Sequence, residues 1–364
     1  MKIQKKKAIP VFFLCLVLVL ALFSGCGGTN QSSGTQSEDA ETVIFTDSLG
    51  REVELPADIE RYAVTGPLAQ IVCFALDPDE MVALASDWSV EAELYIDEAY
   101  YNLPVLGQLY GGSGDLNREE LAKADPQVII DVGETKTDLE DDLEGIEEQT
   151  GIPAVHISMD TETASDAYRM LGELFDMEEE AETLAAYCAE IYSEMEDIME
   201  QVGDDRTTVL YCLGDLGCNV ICKDSYHAEV IDLLSDNLAV VDTPSSKGTG
   251  NEVDFEQILK WNPEVIFFAP QSIYSVVAED SLWQELDAIQ NGNYYEVPYG
   301  PYNWMGFPPS VQRYLGMMWM AKILYPEYAT YDLEEEVTRY YELFYHCELT
   351  SEQYHDLVAN SIPE

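Results

Sequence analysis

The side chains best suited to bind a small molecule lie in one proline-rich loop of the C-terminal third. Residues 300–307 read GPYNWMGF and continue into PPSVQRYLG. Aromatic rings beside an amide in a stiff loop could wall a metal chelate or a flat macrocycle, so Tyr302, Asn303 and Trp304 are predicted ligand contacts. The alternative is that Trp304 and Phe307 only anchor the loop to the core.

Three basic residues are predicted to face an anionic group of a ligand. Basic residues are scarce in this chain, so a Lys or Arg near a candidate binding loop is informative. Lys223, Lys247 and Arg313 meet this condition, and the glycines around Lys247 would let backbone N–H groups face a ligand. No GxxxxGK[ST] frame occurs, so this segment is not a P-loop. The alternative for each base is a surface ion pair with the abundant acidic residues.

Three further side chains complete the predicted ligand-binding set. Tyr226 and His227 are adjacent and could ligate a haem iron, although such a pair is also ordinary at the start of a helix. Trp88 follows a short apolar segment, in another loop predicted to reach the ligand.

Enzyme signatures are missing from the sequence. We find no GxSxG or HExxH motif, and the four histidines offer little acid–base machinery. We therefore expect no catalytic residues, no resident cofactor and no protein-built metal site. An enzyme with two α/β lobes remains an alternative that turnover of a substrate would support.

The charge balance excludes two classes of partner. The chain of 364 residues carries 70 acidic and 17 basic residues, for a net charge of −53. Such a surface repels nucleic acid and anionic lipid. The excess acid is interpreted as a solvated coat that keeps the protein soluble.

The N-terminus is typical of an export signal followed by a lipidation site. Lys2 to Lys7 form a basic region, and Ala8 to Phe23 form an apolar stretch of 16 residues, short for a membrane span. Leu22-Phe23-Ser24-Gly25-Cys26 resembles a bacterial lipobox, which implies cleavage before Cys26 and a lipid on its thiol. Attachment to the outer face of the cytoplasmic membrane would then be through this anchor only. A plain signal peptide or an uncleaved anchor is the alternative.

Cysteines cluster at one point of the chain, at Cys212, Cys218 and Cys222. No CxxC spacing occurs, so a structural zinc site is not expected. A disulfide within this trio is open outside the cytoplasm, with packing inside strands as the alternative.

Two segments of the chain repeat each other at a fixed offset. Residues 117–130 read NREELAKADPQVII and residues 254–267 read DFEQILKWNPEVIF, so that each position is displaced by 137 residues. This offset is too long for a solenoid period and predicts two similar lobes, each with the same helix–turn–strand unit. In each of the two predicted lobes, strands alternate with helices, which predicts a parallel α/β lobe in each case.

A long helix is predicted between the two lobes. Residues 178–202 carry apolar side chains at spacings of three and four without Gly or Pro, which predicts one rigid helical strut of about 37 Å. The predicted boundaries are a signal peptide at 1–25, a lipidated tether at 26–41, an N-terminal lobe at 42–160, linking helices at 161–204 and a C-terminal lobe with closing helices at 205–364.

Together these features resemble the class III solute-binding lipoproteins of ABC importers, which take ferric siderophores, haem or vitamin B12. The likeness lies in DSLGREVELPADIERYAV at 47–64 and in the two repeated helix starts. It implies two Rossmann-like α/β lobes on a single long rigid helix, with a ligand cleft between them. The loop at 300–316 is also similar to the branch that binds molybdate or tungstate, which keeps an oxyanion ligand as an alternative.

The resemblance also implies a partner and the residues that meet it. In that family one Glu on each lobe docks against arginines of the permease, and the matching positions here are Glu119 and Glu256, with Glu120 as an alternative contact. The expected function is capture of a metal chelate by a monomer and its delivery to an ABC permease dimer with a cytoplasmic ATPase. A surface lipoprotein without transport function is the remaining alternative.

Overall fold

The computed structural model describes residues 41–108, 116–245 and 247–362. Predicted features at Cys26, in the signal peptide, in most of the tether and in the loop at 111–114 lie outside the described residues. The N-terminal lobe contains β1 (Thr42–Thr46), β2 (Glu52–Pro56), β3 (Tyr62–Val64), α1 (Pro67–Leu76), α2 (Glu98–Tyr101), α3 (Arg118–Ala124), β4 (Val128–Gly133), α4 (Leu139–Thr150) and β5 (Ala154–Ser158).

Two helices follow, α5 (Ala164–Phe175) and α6 (Glu178–Val202). The C-terminal lobe contains β6 (Thr208–Leu213), β7 (Asn219–Val220), α7 (Glu229–Leu234), β8 (Asp236–Asn237), β9 (Asn251–Glu252), α8 (Phe255–Trp261), β10 (Val265–Phe268), α9 (Tyr274–Val277), α10 (Asp287–Asn291), β11 (Tyr294–Glu296), α11 (Arg313–Leu324), α12 (Leu333–Tyr345) and α13 (Ser351–Leu357). Short 3-10 helices cover Val90–Leu94, Tyr226–Ala228 and Trp283–Glu285.

Each lobe is built on its own sheet. In the N-terminal lobe β3, β4 and β5 pair in parallel in that order, and β1 and β2 form a separate antiparallel hairpin. In the C-terminal lobe β11, β10, β6 and β8 run parallel, while β7 and β9 add antiparallel strands at one side. The predicted α/β class with two Rossmann-like lobes is confirmed.

Alternation along the strands divides the interior into three hydrophobic clusters. Val209 and Tyr211 of β6 face a large cluster that both lobes share with α5, α6, α11 and α12, whereas Leu210 and Cys212 face a cluster of the C-terminal lobe alone. In β4, Ile129 faces a third cluster of the N-terminal lobe. Because side chains alternate across a sheet, each sheet buries one face in its own lobe and the other in the shared cluster.

The linking helix α6 is unbroken and spans the predicted residues. Its buried positions are Ala181, Leu184, Ala185, Tyr187, Cys188, Ile191, Met195, Ile198 and Val202. Gly172 of α5 makes the close packing of the two helices possible, since a Cβ there would lie 2.6 Å from the Cβ of Ala181. The helix therefore stabilises the connection through side-chain packing along its whole length.

The sequence repeat corresponds to a repeated structure. Asn117 caps α3 by accepting hydrogen bonds from the backbone of Glu119 and Glu120. Both repeated helices end on a left-handed residue directly before a proline, Asp125 (φ 48°) in α3 and Asn262 (φ 39°) in α8. A left-handed C-cap followed by proline ends a helix sharply, which sets the turn into β4 and into β10.

The Asp…Gly-Arg motif of the first hairpin fixes the hairpin to the N-terminal sheet. Arg51 contacts Asp47 at 2.7 Å and donates to the Ala154 carbonyl of β5, also at 2.7 Å. Asp47 accepts in turn from the backbone N–H of His156 at 3.2 Å. Gly50 takes φ +80°, a left-handed value that favours glycine. The motif is therefore structural.

The sequence pattern also predicts strands at 81–85 and 239–241 and a helix at 282–289, and these three predictions are wrong. Residues 81–85 form isolated bridges through Met81 and Leu84 instead of a strand, and the strand expected at 239–241 lies at β8. The helix expected at 282–289 is broken at Leu286, whose backbone is extended (φ −87°, ψ 134°), and the Asp287 backbone at the start of α10 donates a hydrogen bond to the Asn262 side chain.

Candidate functional site

Two cavities open where the parallel strands end, the usual place for ligands in α/β folds. The first, the interlobe cavity, has a volume of about 410 Å³ and is bounded by both lobes. Its N-terminal side is formed by Thr65, Gly66, Pro67, Leu68, Ala69, Gln108, Asp131, Val132, Gly133, Glu134 and Lys136. Its C-terminal side is formed by Tyr226, His227, Pro308 and Pro309.

The second, the C-lobe cavity, has a volume of about 540 Å³ and is lined by the C-terminal lobe alone. Its walls are Leu213, Gly214, Asn219, Gly248, Thr249, Ala269, Pro270, Gln271, Tyr299, Asn303 and Phe307. Three side-chain amides and two aromatic rings line it, and none of its described lining residues is Asp, Glu, Lys, Arg or His. The C-lobe cavity is therefore polar but uncharged.

One stacked pair of rings divides the two cavities. The imidazole of His227 lies parallel to the ring of Phe307, with centroids 5.3 Å apart and planes 15° apart. Gly248 packs against both rings, since a Cβ there would lie 2.6 Å from Phe307 Cε1 and 3.3 Å from His227 Cε1. The two cavities are therefore adjacent parts of one cleft.

A buried acid–imidazole pair forms the floor of the interlobe cavity. Asp131, at the end of β4, is 4 % exposed, and its Oδ2 lies 2.7 Å from Nδ1 of the fully buried His156. Its other oxygen accepts a hydrogen bond from Thr65, and Thr135 lies 3.1 Å from His156 Nε2. Sequence reasoning missed this network, although an Asp inside the apolar run QVIIDVG was a usable signal.

The N-terminus of α1 lines the same cavity. Its cap residue Gly66 offers no side-chain hydrogen bond, and Pro67 occupies the first turn. The backbone N–H groups of Leu68 and Ala69 have no partner within their own helix, because the first turn has no preceding carbonyls. This end of the helix carries a partial positive charge.

A buried ion pair stands behind Tyr226 and ties the C-terminal lobe to the linking segment. Arg313, 2 % exposed, contacts Glu229 at 2.7 Å, donates to the Tyr226 carbonyl and lies 4.7 Å from the centre of the Tyr226 ring. Glu229 also accepts from the hydroxyl of Thr161 at 2.9 Å, and Tyr314 donates to the Thr161 carbonyl at 2.7 Å. The network holds the start of α7 against the segment that leads into α5.

Burial also defines the state of the Tyr226 hydroxyl. Burial raises the pKa of Tyr226 to about 12, while the Arg313 guanidinium acts in the opposite direction. The phenol stays protonated at neutral pH.

Several predicted ligand residues meet at the cleft. Tyr226 and His227 line the interlobe cavity, and Asn303 lines the C-lobe cavity. Asn303 is 5 % exposed; its Nδ2 donates to the Tyr211 hydroxyl at 2.9 Å and its Oδ1 accepts from the Met305 backbone at 2.7 Å.

The predicted aromatic walls lie in the core instead. Trp304 is fully buried, Trp88 packs edge-on against Phe74 at 5.1 Å, and Tyr302 is 8 % exposed and lies 6.3 Å from Trp88. None of the three is among the described lining residues of either cavity. Burial of Trp304 agrees with the alternative that it anchors the loop to the core, whereas Phe307, for which the same alternative was open, lines the C-lobe cavity.

None of the three predicted cations is among the described lining residues of the two cavities. Lys223 pairs with Asp236 at 3.4 Å, Lys247 is exposed beside the C-lobe cavity, and Arg313 is held by Glu229. The only Lys or Arg among the described lining residues of the two cavities is Lys136, which the sequence analysis did not select.

The two predicted docking carboxylates lie in equivalent first turns. Glu119 is in the first turn of α3 with 81 % of its side chain exposed and pairs with Lys123 at 3.2 Å, and Glu256 is exposed in the first turn of α8. Glu120 is less exposed, at 31 %, and lies 2.7 Å from the same lysine.

Cysteine and metal chemistry contribute little to the described part of the chain. Cys212, Cys218 and Cys222 are all free thiols, and burial raises the pKa of Cys222 to about 11. No group of three His, Cys, Asp or Glu side chains within the described ranges is arranged to hold a metal ion. Within the same ranges, no helix has the length and apolar character needed to cross a membrane.

Comparison with known proteins identifies the family. The family model for periplasmic binding proteins matches residues 72–299. An ABC transporter solute-binding protein from Sulfurospirillum deleyianum superposes with a TM-score of 0.79 at 29 % identity, over 87 % of this chain and 99 % of that one. The molybdate-binding protein MolA of Haemophilus influenzae is 23 % identical over 83 % of this chain and 90 % of its own length.

Two structures of lower identity share the fold. MolA bound to molybdate superposes with a TM-score of 0.66 at 19 % identity, covering 85 % of this chain and 99 % of that one. The catecholate-siderophore binding protein VctP of Vibrio cholerae gives 0.55 at 19 %, covering 76 % and 99 %. The chain therefore belongs to the periplasmic binding protein family and is an extracytoplasmic solute-binding protein of an ABC transporter.

Proposed function

We propose that the protein captures a metal chelate in the cleft between its lobes and delivers it to an ABC permease. The observation that carries this proposal is the divided cleft, with cavities of about 410 and 540 Å³ on either side of the His227–Phe307 stack. Each volume lies in the range of sites for organic ligands, roughly 300–1,000 Å³, and exceeds what a bare ion requires.

The donor groups of the cleft favour a metal that brings its own ligands. No three-residue cage for a metal ion exists among the described residues. A chelate already satisfies the coordination shell of its metal, so the protein needs only to contact the organic surface. The buried positions of Trp88 and Trp304 favour a compact chelate over a flat macrocycle of the haem type.

Permease docking through Glu119 and Glu256 forms part of the proposal. Since a helix that feeds directly into a parallel strand runs antiparallel to it, the first turns of α3 and α8 lie toward the edge of each sheet where the cleft opens. Two exposed carboxylates on separate lobes would orient the protein on cationic sockets and increase the association rate.

We further propose that the protein is a monomer attached to the membrane by a lipid on Cys26. The intact mass of the mature protein tests this attachment.

A molybdate or tungstate oxyanion is the second candidate. The uncapped N-terminus of α1, together with Lys136, gives the interlobe cavity an anion-binding element. The likeness to MolA, a molybdate-binding protein, supports the same reading. The carboxylates of Asp131 and Glu134 in that cavity oppose it.

A binding panel distinguishes the two candidates. The purified protein is titrated with ferric hydroxamate and catecholate complexes, haemin, cobalamin and sodium molybdate, and tryptophan fluorescence and calorimetry follow binding. We expect saturable one-to-one binding of at least one ferric chelate and weak or no binding of molybdate. Tight binding of molybdate without any response to the chelates would refute the chelate proposal.

A further inference from the structure

The two parts of the cleft differ in charge. The interlobe cavity has Asp131, Glu134, Lys136 and His227 among its lining residues, whereas the C-lobe cavity has no charged lining residue in the described part of the chain. Residues 109–115, which are not described, contain Asp115 and no Lys or Arg by sequence. The cleft therefore offers a single Lys or Arg to balance an anion, and two carboxylates that oppose one.

The amides of the C-lobe cavity are held in fixed positions. Both ends of the Asn303 amide are already hydrogen-bonded, to Tyr211 and to Met305, so its orientation is set. An Asn amide retains a second N–H and a second lone pair, which Asn303 can offer to a ligand. Asn219 donates to the Thr249 carbonyl at 3.2 Å and keeps its oxygen for another donor.

Gln271 stands at the mouth of the same cavity in an unfavourable backbone conformation. Its φ is +61°, in the left-handed region that residues other than glycine rarely adopt, and its side chain is exposed. Such a conformation persists only where the surrounding structure imposes it, and it often occurs at binding sites. Gln271 follows Pro270, and both residues line the C-lobe cavity.

Resting on the proposed function, we infer that the cargo is a ferric chelate of zero or positive net charge with amide-rich arms. Its metal centre lies in the interlobe cavity next to Asp131, and one arm passes the His227–Phe307 stack into the C-lobe cavity. There the amides of Asn219, Gln271 and Asn303 exchange hydrogen bonds with the arm, while Tyr299 and Phe307 cover its carbon chain. Linear hydroxamate chelates have this chemistry; tricatecholates, with three negative charges, do not.

The test compares probes with and without arms. The probes are the ferric complex of a linear trihydroxamate, ferric tris-acetohydroxamate, which has the same metal centre without arms, and a ferric tricatecholate. Dissociation constants are measured for the wild type, for the double variant Asn219→Ala/Gln271→Ala, and for Gln201→Ala as a control. Gln201 is an exposed glutamine at the end of α6, away from the cleft.

We expect the wild type to bind the trihydroxamate at least 100-fold more tightly than the tricatecholate. Loss of two amide partners should weaken trihydroxamate binding by about 10- to 100-fold, since each hydrogen bond contributes about a factor of three to ten. The double variant should change the armless chelate less than twofold, and Gln201→Ala should change neither probe. Thermal unfolding of the double variant should match the wild type.

Different binding results would overturn the inference about the arms and the proposed function. Unchanged trihydroxamate binding in the double variant, or tighter binding of the tricatecholate, would overturn the inference and leave chelate capture standing. Absence of binding to all three chelates by the wild type would overturn both.

Discussion

At the scale of single residues, burial determines how strongly the ion pair of a Lys or Arg side chain contributes to stability in this protein. Arg313 and Lys223 were both predicted to meet an anionic ligand, and both instead pair with a carboxylate of the chain. Arg313 is 2 % exposed and its partner Glu229 is 22 % exposed, whereas 39 % of the Lys223 side chain remains in water. The sequence could not separate these cases, because burial depends on contacts between residues far apart in the chain.

This difference predicts unequal effects on stability. Arg313→Met should lower the free energy of unfolding by about 3 kcal/mol, because it leaves the Glu229 carboxylate without its cation. Lys223→Met is the matched control and should change it by less than about 0.5 kcal/mol, since exposed ion pairs contribute little. Urea unfolding measures both, and equal losses in the two variants would contradict this account.

Asp77 predicts a pH dependence at the end of α1. Burial, with Glu80 and Asp79 nearby, raises the pKa of its carboxyl group to about 6, although backbone N–H bonds counteract this. The folded state therefore binds the proton more tightly than the unfolded state, where the pKa is about 4. The stability that protonation provides is complete below about pH 4 and is lost as the pH rises through 6.

Asp77→Asn removes this dependence and keeps an oxygen that can accept from Glu80. The variant should be more stable than the wild type by about 2 to 3 kcal/mol at pH 7, because one pKa unit corresponds to about 1.4 kcal/mol. Below pH 4 the difference should vanish. A difference that does not vary between pH 4 and pH 7 in urea unfolding would refute the raised pKa.

The residues predicted from sequence to contact a ligand divide into those that line a cavity and those that lie in the core, and their role as ligand contacts stays a prediction. Tyr226, His227 and Asn303 follow predicted strand ends and line the cleft. Trp88 and Trp304 are aromatic residues in loops, as residues that line a ligand site often are, but both are buried in the core.

At the scale of elements, segments with a clear hydrophobic period were predictable, whereas the interruption of one expected helix was not. The bounds of α4, α5, α6 and β6 agree with the sequence patterns, because each pattern extends over several turns or a full buried strand. The break at Leu286 accompanies two hydrogen bonds between Asn262 and Asp287, which are 25 residues apart in the chain. No local pattern carries that information.

Replacing a helical glycine by alanine is expected to have opposite effects at Gly172, which lies in the contact between α5 and α6, and at Gly145, which lies in α4. Gly172→Ala should destabilise the protein by about 1 to 3 kcal/mol, because its Cβ would overlap Ala181 and the Met177 carbonyl. Gly145→Ala in α4 is the control; its Cβ would meet only Gln149 at 3.9 Å. It should stabilise by about 0.5 to 1 kcal/mol. Thermal unfolding measures both, and stabilisation by Gly172→Ala would exclude tight helix packing there.

At the scale of the whole molecule, two sheets share one hydrophobic cluster, and the cleft opens at the strand ends. The sequence repeat predicted the two lobes because helix caps and the following prolines are local features that survive in both copies. The division of the cleft by His227 and Phe307 was not predictable, since the two rings are 80 residues apart in the chain.

Docking predicts a separation between ligand binding and transport. The double variant Glu119→Ala/Glu256→Ala should abolish uptake in cells and leave the dissociation constant of the ligand unchanged, because both carboxylates are exposed outside the cavities. Glu148→Ala/Glu285→Ala removes two other exposed acids and should leave uptake intact. Loss of ligand binding in the first variant would exclude a pure docking role.

The most direct test of the central claim is native mass spectrometry, with metal analysis, of the protein purified from its own cells under limiting iron. Chelate capture predicts one additional mass of several hundred daltons per chain that carries one equivalent of iron and dissociates as an intact complex. A population that carries only molybdate or tungstate, or that holds no cargo after saturation with ferric chelates, would contradict it.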